Sequence, residues 1–399
     1  MDSPPPYNPV MTMGEEHASR TGRFQGTLRA LGLDGALLAQ ATDVFYFSGT
    51  RQNAALWIPA GAAPVLLVRK SLARAQEESA VADVRPFPRG KELPAIFAGA
   101  RRVGLTLDVL PVNLHAFYSR ALGGAEVVDV GRAVREQRSV KSDAELALMR
   151  ETAAIMTGAL AELPSYLRAG MTELELTAEV EYRLRRRGNE GSPRLRGFNQ
   201  ELFVGLAVAG ASATAPGFFD GPVTGRGLSA AAPLGASRDL VPRDAPILLD
   251  YTAVKNGYVV DMTRMAVVGR LDPGLERAFE VALAIQAEVA GRLRPGEVPS
   301  AIWERARAMA EEAGLGGHFM GPPGDQARFV GHGVGLELDE LPVLAPGFDE
   351  PLVRGQTVAV EPKFVLPGRG AIGIENTWAV GERGGEKLTD LTDDIVRLA

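Results

Sequence analysis

Asp250 and Asp261 lie on either side of an Asn256-Gly257 pair, within residues 247–263. Asn-Gly between alternating β-formers predicts a hairpin with a two-residue loop. With Asn256 and Gly257 as that loop, Thr252 faces Asp261 and Asp250 faces Thr263. Side chains alternate with period two, so both carboxylates point to one face as diagonal neighbours. Two bare carboxylates among Leu, Ile and Val repel each other and are poorly hydrated. A divalent cation between them is the simplest remedy. The competing reading is a pair of polar residues on a solvated sheet face.

Three further residues belong with this pair. His332 stands in Gly331-His332-Gly333-Val334-Gly335, where glycines leave room around the imidazole. Glu361 stands in Val358-Ala359-Val360-Glu361-Pro362, and Glu375 in Ile372-Gly373-Ile374-Glu375-Asn376. The link Pro367-Gly368-Arg369-Gly370 reads as a turn. A three-residue loop would pair Leu366 with Gly370 and set Glu361 opposite Glu375. A two-residue loop would put them on opposite faces. Four carboxylates and one imidazole suit two divalent ions such as Mn²⁺, Co²⁺ or Fe²⁺, with Zn²⁺ also admissible, better than a tetrahedral structural zinc.

These residues need a scaffold. The chain has 399 residues, 46% of them hydrophobic and 23% charged, which suggests two or three domains. Residues 1–20 are Pro-rich without an apolar core and read as a disordered leader, not a signal peptide. Residues 21–140 form an α/β domain with strands expected at 35–38, 44–47, 55–58, 65–68, 102–107 and 126–130, and a helix near 71–81. Residues 141–399 form the second domain. Ser142 with Glu145, and Thr172 with Glu175, make capping boxes that open two helices. Two more helices are expected over 274–293 and 300–313, and the rest is a largely antiparallel sheet. The fold class is therefore α+β.

The absence of cysteine excludes a thiolate metal site or nucleophile and fits a cytoplasmic protein. No apolar run is long enough for a membrane span, and a net charge of −6 argues against a nucleic-acid partner.

The order Asp250, Asp261, His332, Glu361, Glu375 resembles the dinuclear metal site of the pita-bread metallopeptidases. Asp261-Met262-Thr263-Arg264, residues 331–337 and Val360-Glu361-Pro362 are similar to signatures of their prolidase and aminopeptidase P branch. Residues 22–140 resemble the creatinase-type N-terminal domain of that branch. The resemblance implies a pita-bread catalytic domain and two divalent ions, manganese, cobalt or iron. Asp250 would hold one ion, Asp261 and Glu375 would bridge both, and His332 and Glu361 would complete the other. Glu361 would shuttle the proton of a bridging water, and Thr263 would brace a ligand carboxylate. It also implies a short peptide or dipeptide substrate, of the Xaa-Pro type, and a homodimer.

The chain departs from that pattern around the substrate. No histidine occurs between Gly188 and Asp250, and Asp339 fills the slot of a second substrate histidine. Gly373 replaces an arginine two residues before the last glutamate, and Asn376 replaces the aspartate after it. Asp339 would attract an ammonium group or serve as a salt-bridged wall residue. Arg196 would reach a substrate carboxylate, His318 would stand in for a missing histidine, and Phe218 and Phe219 would line an apolar subsite. The alternative functions are a non-peptidase hydrolase or lyase of a small metabolite, or a catalytically silent binding protein.

Overall fold

The computed structural model describes residues 13–89 and 92–399. The chain divides into two compact units between Arg138 and Ser139, two residues before the expected boundary. Most of the expected leader lies outside the described residues, but its end does not. Met13–Ala30 is a helix, in which Glu16, His17 and Arg20 are buried. Arg20 pairs with Glu16 at 3.0 Å one turn back and donates to the Tyr46 carbonyl, so this segment is structured.

The first unit carries a six-stranded mixed sheet in the order Asp83–Pro86, Val65–Val68, Ala54–Pro59, Gly35–Leu38, Arg102–Leu105, Glu126–Asp129. The strand expected at 44–47 is instead part of the helix Ala41–Ser48. Gln40 caps it by accepting from the Asp43 amide, and Gly49, at φ 78°, closes it. Val44, Tyr46 and Phe47 are all buried. A short apolar run buried on several sides has no periodicity that separates helix from strand. The edge strand Asp83–Pro86 is too polar and too short to stand out in the sequence.

The second unit is built from helices on antiparallel strands. Both capping boxes form, at Ser142 for Asp143–Ala161 and at Thr172 for Glu173–Arg186. Pro273–Arg292 and Pro299–Glu312 match the two later helices to within a residue. A four-stranded sheet runs Val396–Leu398, Tyr258–Val268, Ile247–Lys255, Gly205–Ala209, and a five-stranded one has Thr357–Val360 at its centre with Gly331–Gly333 beside it. Lys363–Leu366 and Gly370–Gly373 form a separate two-stranded ribbon. Phe279, Ile285, Trp303, Phe319 and Phe364 are among the side chains of the core between helices and sheets.

Candidate functional site

The first hairpin forms in the expected register. Lys255 pairs with Tyr258, Thr252 with Asp261 and Asp250 with Thr263. Asn256 and Gly257 have φ of 49° and 80°, as a type I′ turn requires. In the second hairpin Leu366 pairs with Gly370, so the loop has three residues. Val360 pairs with Asn376 in the adjoining ladder, in the same register. Glu361 therefore falls opposite Glu375.

Strand pairing around His332 explains its glycines differently from the expectation of an accessible ring. A Cβ on Gly331 would lie 2.5 Å from the Ala359 carbonyl, and one on Gly333 2.4 Å from the Leu341 carbonyl. The glycines let neighbouring strands close in, and His332 is only 8% exposed. Its Nδ1 lies 3.1 Å from the Leu338 carbonyl and 3.3 Å from that of Gly333. Carbonyls only accept, so Nδ1 carries the proton and Nε2 is turned toward the carboxylates.

Nε2 lies 3.4 Å from Glu361 Oε1, 3.9 Å from Glu375 Oε1 and 4.0 Å from Asp261 Oδ2. Metal–ligand bonds of about 2.0–2.2 Å separate neighbouring ligand atoms by such distances. Asp261 Oδ1 and Glu375 Oε1 are buried with no hydrogen-bond partner among the described residues. Asp261, His332 and Glu375 each offer one donor atom, all within 4.8 Å of one another. The donor set fits one divalent ion, and Thr263 Oγ1 braces it by donating to Glu375 Oε2 at 2.9 Å.

The other oxygens face a residue that the sequence reading passed over. Lys363 Nζ, fully buried, donates to Glu361 Oε2 at 2.7 Å, Glu375 Oε2 at 2.8 Å and Asp250 Oδ2 at 2.9 Å. A signal was available: Lys363 is two residues beyond Glu361, so period-two alternation puts both on one face.

Charge and burial set the protonation of the site. Burial, then Glu375 and Asp250, hold the Asp261 carboxyl well above its ordinary range. Burial also lifts Glu375 to about 8, against the pull of Lys363. Burial would depress the His332 imidazole, but Asp339, Glu361 and Glu375 outweigh it and raise it. Lys363 is held above its usual value because Asp250, Glu361 and Glu375 overcome its desolvation.

A carboxylate whose folded value rises from 4.5 to about 8 binds more protons folded than unfolded between those limits. The chelator-treated protein should therefore lose stability as pH rises through this window, and raised His332 acts in the same sense. A divalent ion displaces these protons. Thermal denaturation with and without Mn²⁺ should show a larger Tm gain at pH 8 than at pH 5.

Asp250, Asp261, His332, Glu361 and Glu375 line a cavity of ≈ 70 Å³ whose walls also include Phe203, Phe219, Tyr251, Phe329, Leu338 and Asp339. Asp339 and Phe219, expected to face the substrate, both line this cavity. Phe218 is 61% exposed and points elsewhere. Arg196 is not part of the lining; it pairs with buried Glu337 at 3.6 Å. His318 is also outside it, with Nδ1 3.0 Å from the Val365 carbonyl.

Arg264, which the sequence offers only as part of a signature, is buried behind Glu375. It donates to the carbonyls of Thr263, Glu375, Thr392 and Leu391 and to Asn376 Oδ1. Asn376 Nδ2 donates in turn to Gln286 and Asp393. An aspartate at 376 has no such donor.

Residues 20–140 match the creatinase/prolidase N-terminal domain. A protein of Bacillus subtilis named as an uncharacterized peptidase, YqhT, is 25% identical over 92% of this chain and 97% of its own. A protein named Xaa-Pro dipeptidase from Pyrococcus horikoshii is 24% identical over 91% and 95%. Among solved structures, the prolidase of Pyrococcus horikoshii superposes with a TM-score of 0.80 at 23% identity, covering 95% of this chain and 100% of that one. Dipeptidase PepE of Mycobacterium ulcerans reaches 0.80 at 21% identity, over 98% and 100%. Residues 147–382, which carry every ligand candidate, match metallopeptidase family M24, and the chain belongs to that family.

Proposed function

We propose that this protein is a metal-dependent dipeptidase or aminopeptidase that cleaves short peptides of the Xaa-Pro type. One observation carries the reading: Asp261, His332, Glu361 and Glu375 turn donor atoms toward one point in the lining of an apolar cavity. The Pyrococcus relative's name, Xaa-Pro dipeptidase, supports the Xaa-Pro class, and the Mycobacterium relative's name, probable dipeptidase, supports a dipeptide substrate. A divalent ion held by these residues, manganese, cobalt or iron, would polarise a scissile carbonyl and make water acidic.

The protein's own groups do the rest. Glu361 lines the cavity, with Oε1 3.4 Å from His332 Nε2 and Oε2 held by Lys363. Glu361 would take the proton of the attacking water and pass it to the leaving nitrogen. Phe219, Phe329 and Leu338 would exclude bulk water and hold an apolar side chain. Asp339, with Oδ1 3.5 Å from His332 Nδ1, would stand as a salt-bridged wall residue beside the imidazole.

The test is a panel of Xaa-Pro and other dipeptides with protein loaded with Mn²⁺, Co²⁺ or Fe²⁺. Release of free amino acid that stops with a chelator is expected. Metal binding without turnover of any peptide would overturn the peptidase reading in favour of a different hydrolase. Asp339→His supplies a donor that can meet a substrate carbonyl. It should raise kcat/KM for Xaa-Pro dipeptides by roughly ten- to a hundredfold, below the full worth of an oxyanion donor. An unchanged or lower value would show that Asp339 is itself a substrate contact.

A further inference from the structure

We infer that Lys363 is a built-in cation that takes the place of a second metal ion, so that each chain binds one divalent ion rather than two. The inference rests on the metal reading of the site and deepens it.

The geometry has two halves. Glu361 and Glu375 each turn Oε1 toward His332 and Oε2 toward the Lys363 ammonium. Both glutamates are therefore bridges, with a metal locus on one side and Nζ on the other. Asp250 closes the ammonium side, with Oδ2 2.9 Å from Nζ. An ammonium has three N–H donors, and the three carboxylates use all of them. Asp250, the residue whose role would be to hold a separate ion, is thus already satisfied by a protein cation.

Charge supports the same count. Four carboxylates and one ammonium leave a surplus of negative charge that a single divalent ion nearly cancels. A second divalent ion would have to share oxygens with the ammonium and sit beside it. Like charges at that distance, inside a buried site, repel strongly.

The cross-strand neighbour shows how the lysine is accommodated. Lys363 pairs with Gly373, and a Cβ on Gly373 would meet Lys363 Cγ at 2.6 Å. The glycine leaves the corridor through which the lysine stem reaches the carboxylates. The chain has thus placed a cation at 363 and removed the side chain opposite.

The experiment is metal counting on the purified full chain. Chelator-treated protein is titrated with Mn²⁺ by calorimetry, and the loaded protein is examined by electron paramagnetic resonance. One Mn²⁺ per chain, with the spectrum of an isolated ion, is expected. Two ions per chain with an exchange-coupled spectrum would overturn the inference and leave the peptidase proposal standing. No bound ion would overturn the metal reading and the inference with it. Lys363→Ala, prepared with Mn²⁺ in excess, should bind a second ion and show coupling. A well-folded variant that still binds one would also overturn the inference. Should that variant not fold, the wild-type count and spectrum decide alone.

Discussion

Asp261→Ala should abolish tight metal binding and lower kcat/KM for any peptide substrate by well over a hundredfold. Asp261 is a member of the donor set whose atoms gather within 4.8 Å, and its Oδ1 has no hydrogen-bond partner among the described residues. Glu375→Ala should do the same, because Glu375 meets His332 with one oxygen and Lys363 with the other. The instructive control is Thr263→Val. The Thr263 hydroxyl, which the valine removes, donates to Glu375 Oε2. Losing such an outer hydrogen-bond partner costs roughly ten- to a hundredfold in metal affinity or activity. Calorimetric Mn²⁺ affinity and kcat/KM should therefore rank wild type, then Thr263→Val, then the two alanine variants. Equal losses in all three would show that the site fails by misfolding, and wild-type activity in Asp261→Ala would remove it from the site.

Arg264→Ala should destabilise the protein by about 3–5 kcal/mol, the usual penalty for removing one partner from a buried charged network. The guanidinium is 2% exposed and serves four backbone carbonyls and Asn376. It also lies 3.1 Å from Asp393. Burial is severe enough to pull it down to about 10, with Asp393 and Glu375 opposing. Alanine would leave buried acceptors without donors, each an unfavourable desolvation. Arg264→Lys should recover only part of the loss, since an ammonium has three donors and no planar fork. Because one bond goes to the Glu375 carbonyl, metal affinity should also fall. Urea denaturation of chelator-treated protein measures the first effect, and a loss under about 1 kcal/mol would show that water replaces the guanidinium.

Much of the site could be read from residue order alone. Period-two alternation and the Asn256-Gly257 pair specify the first hairpin completely, so the faces of Asp250 and Asp261 were legible. The capping boxes at Ser142 and Thr172 have a local cause and formed where expected. The second hairpin was legible only as two alternatives, because Pro367-Gly368-Arg369-Gly370 is compatible with either loop length. Among the described residues, no helix is long and apolar enough to cross a membrane.

What the tertiary structure decided is which side chains arrive at one point. The local chain states that Glu361 and Lys363 share a face. It does not state that Asp250 and Glu375 come within hydrogen-bond reach of that lysine, or that Gly373 opens the way for it. Nor does it state that Arg196 and His318 turn from the cavity while Asp339 lines it. Alternation along a strand is a property of the backbone over a few residues. Convergence depends on how separate sheets pack, on steric room across a strand pair and on the summed charge of groups far apart in the chain.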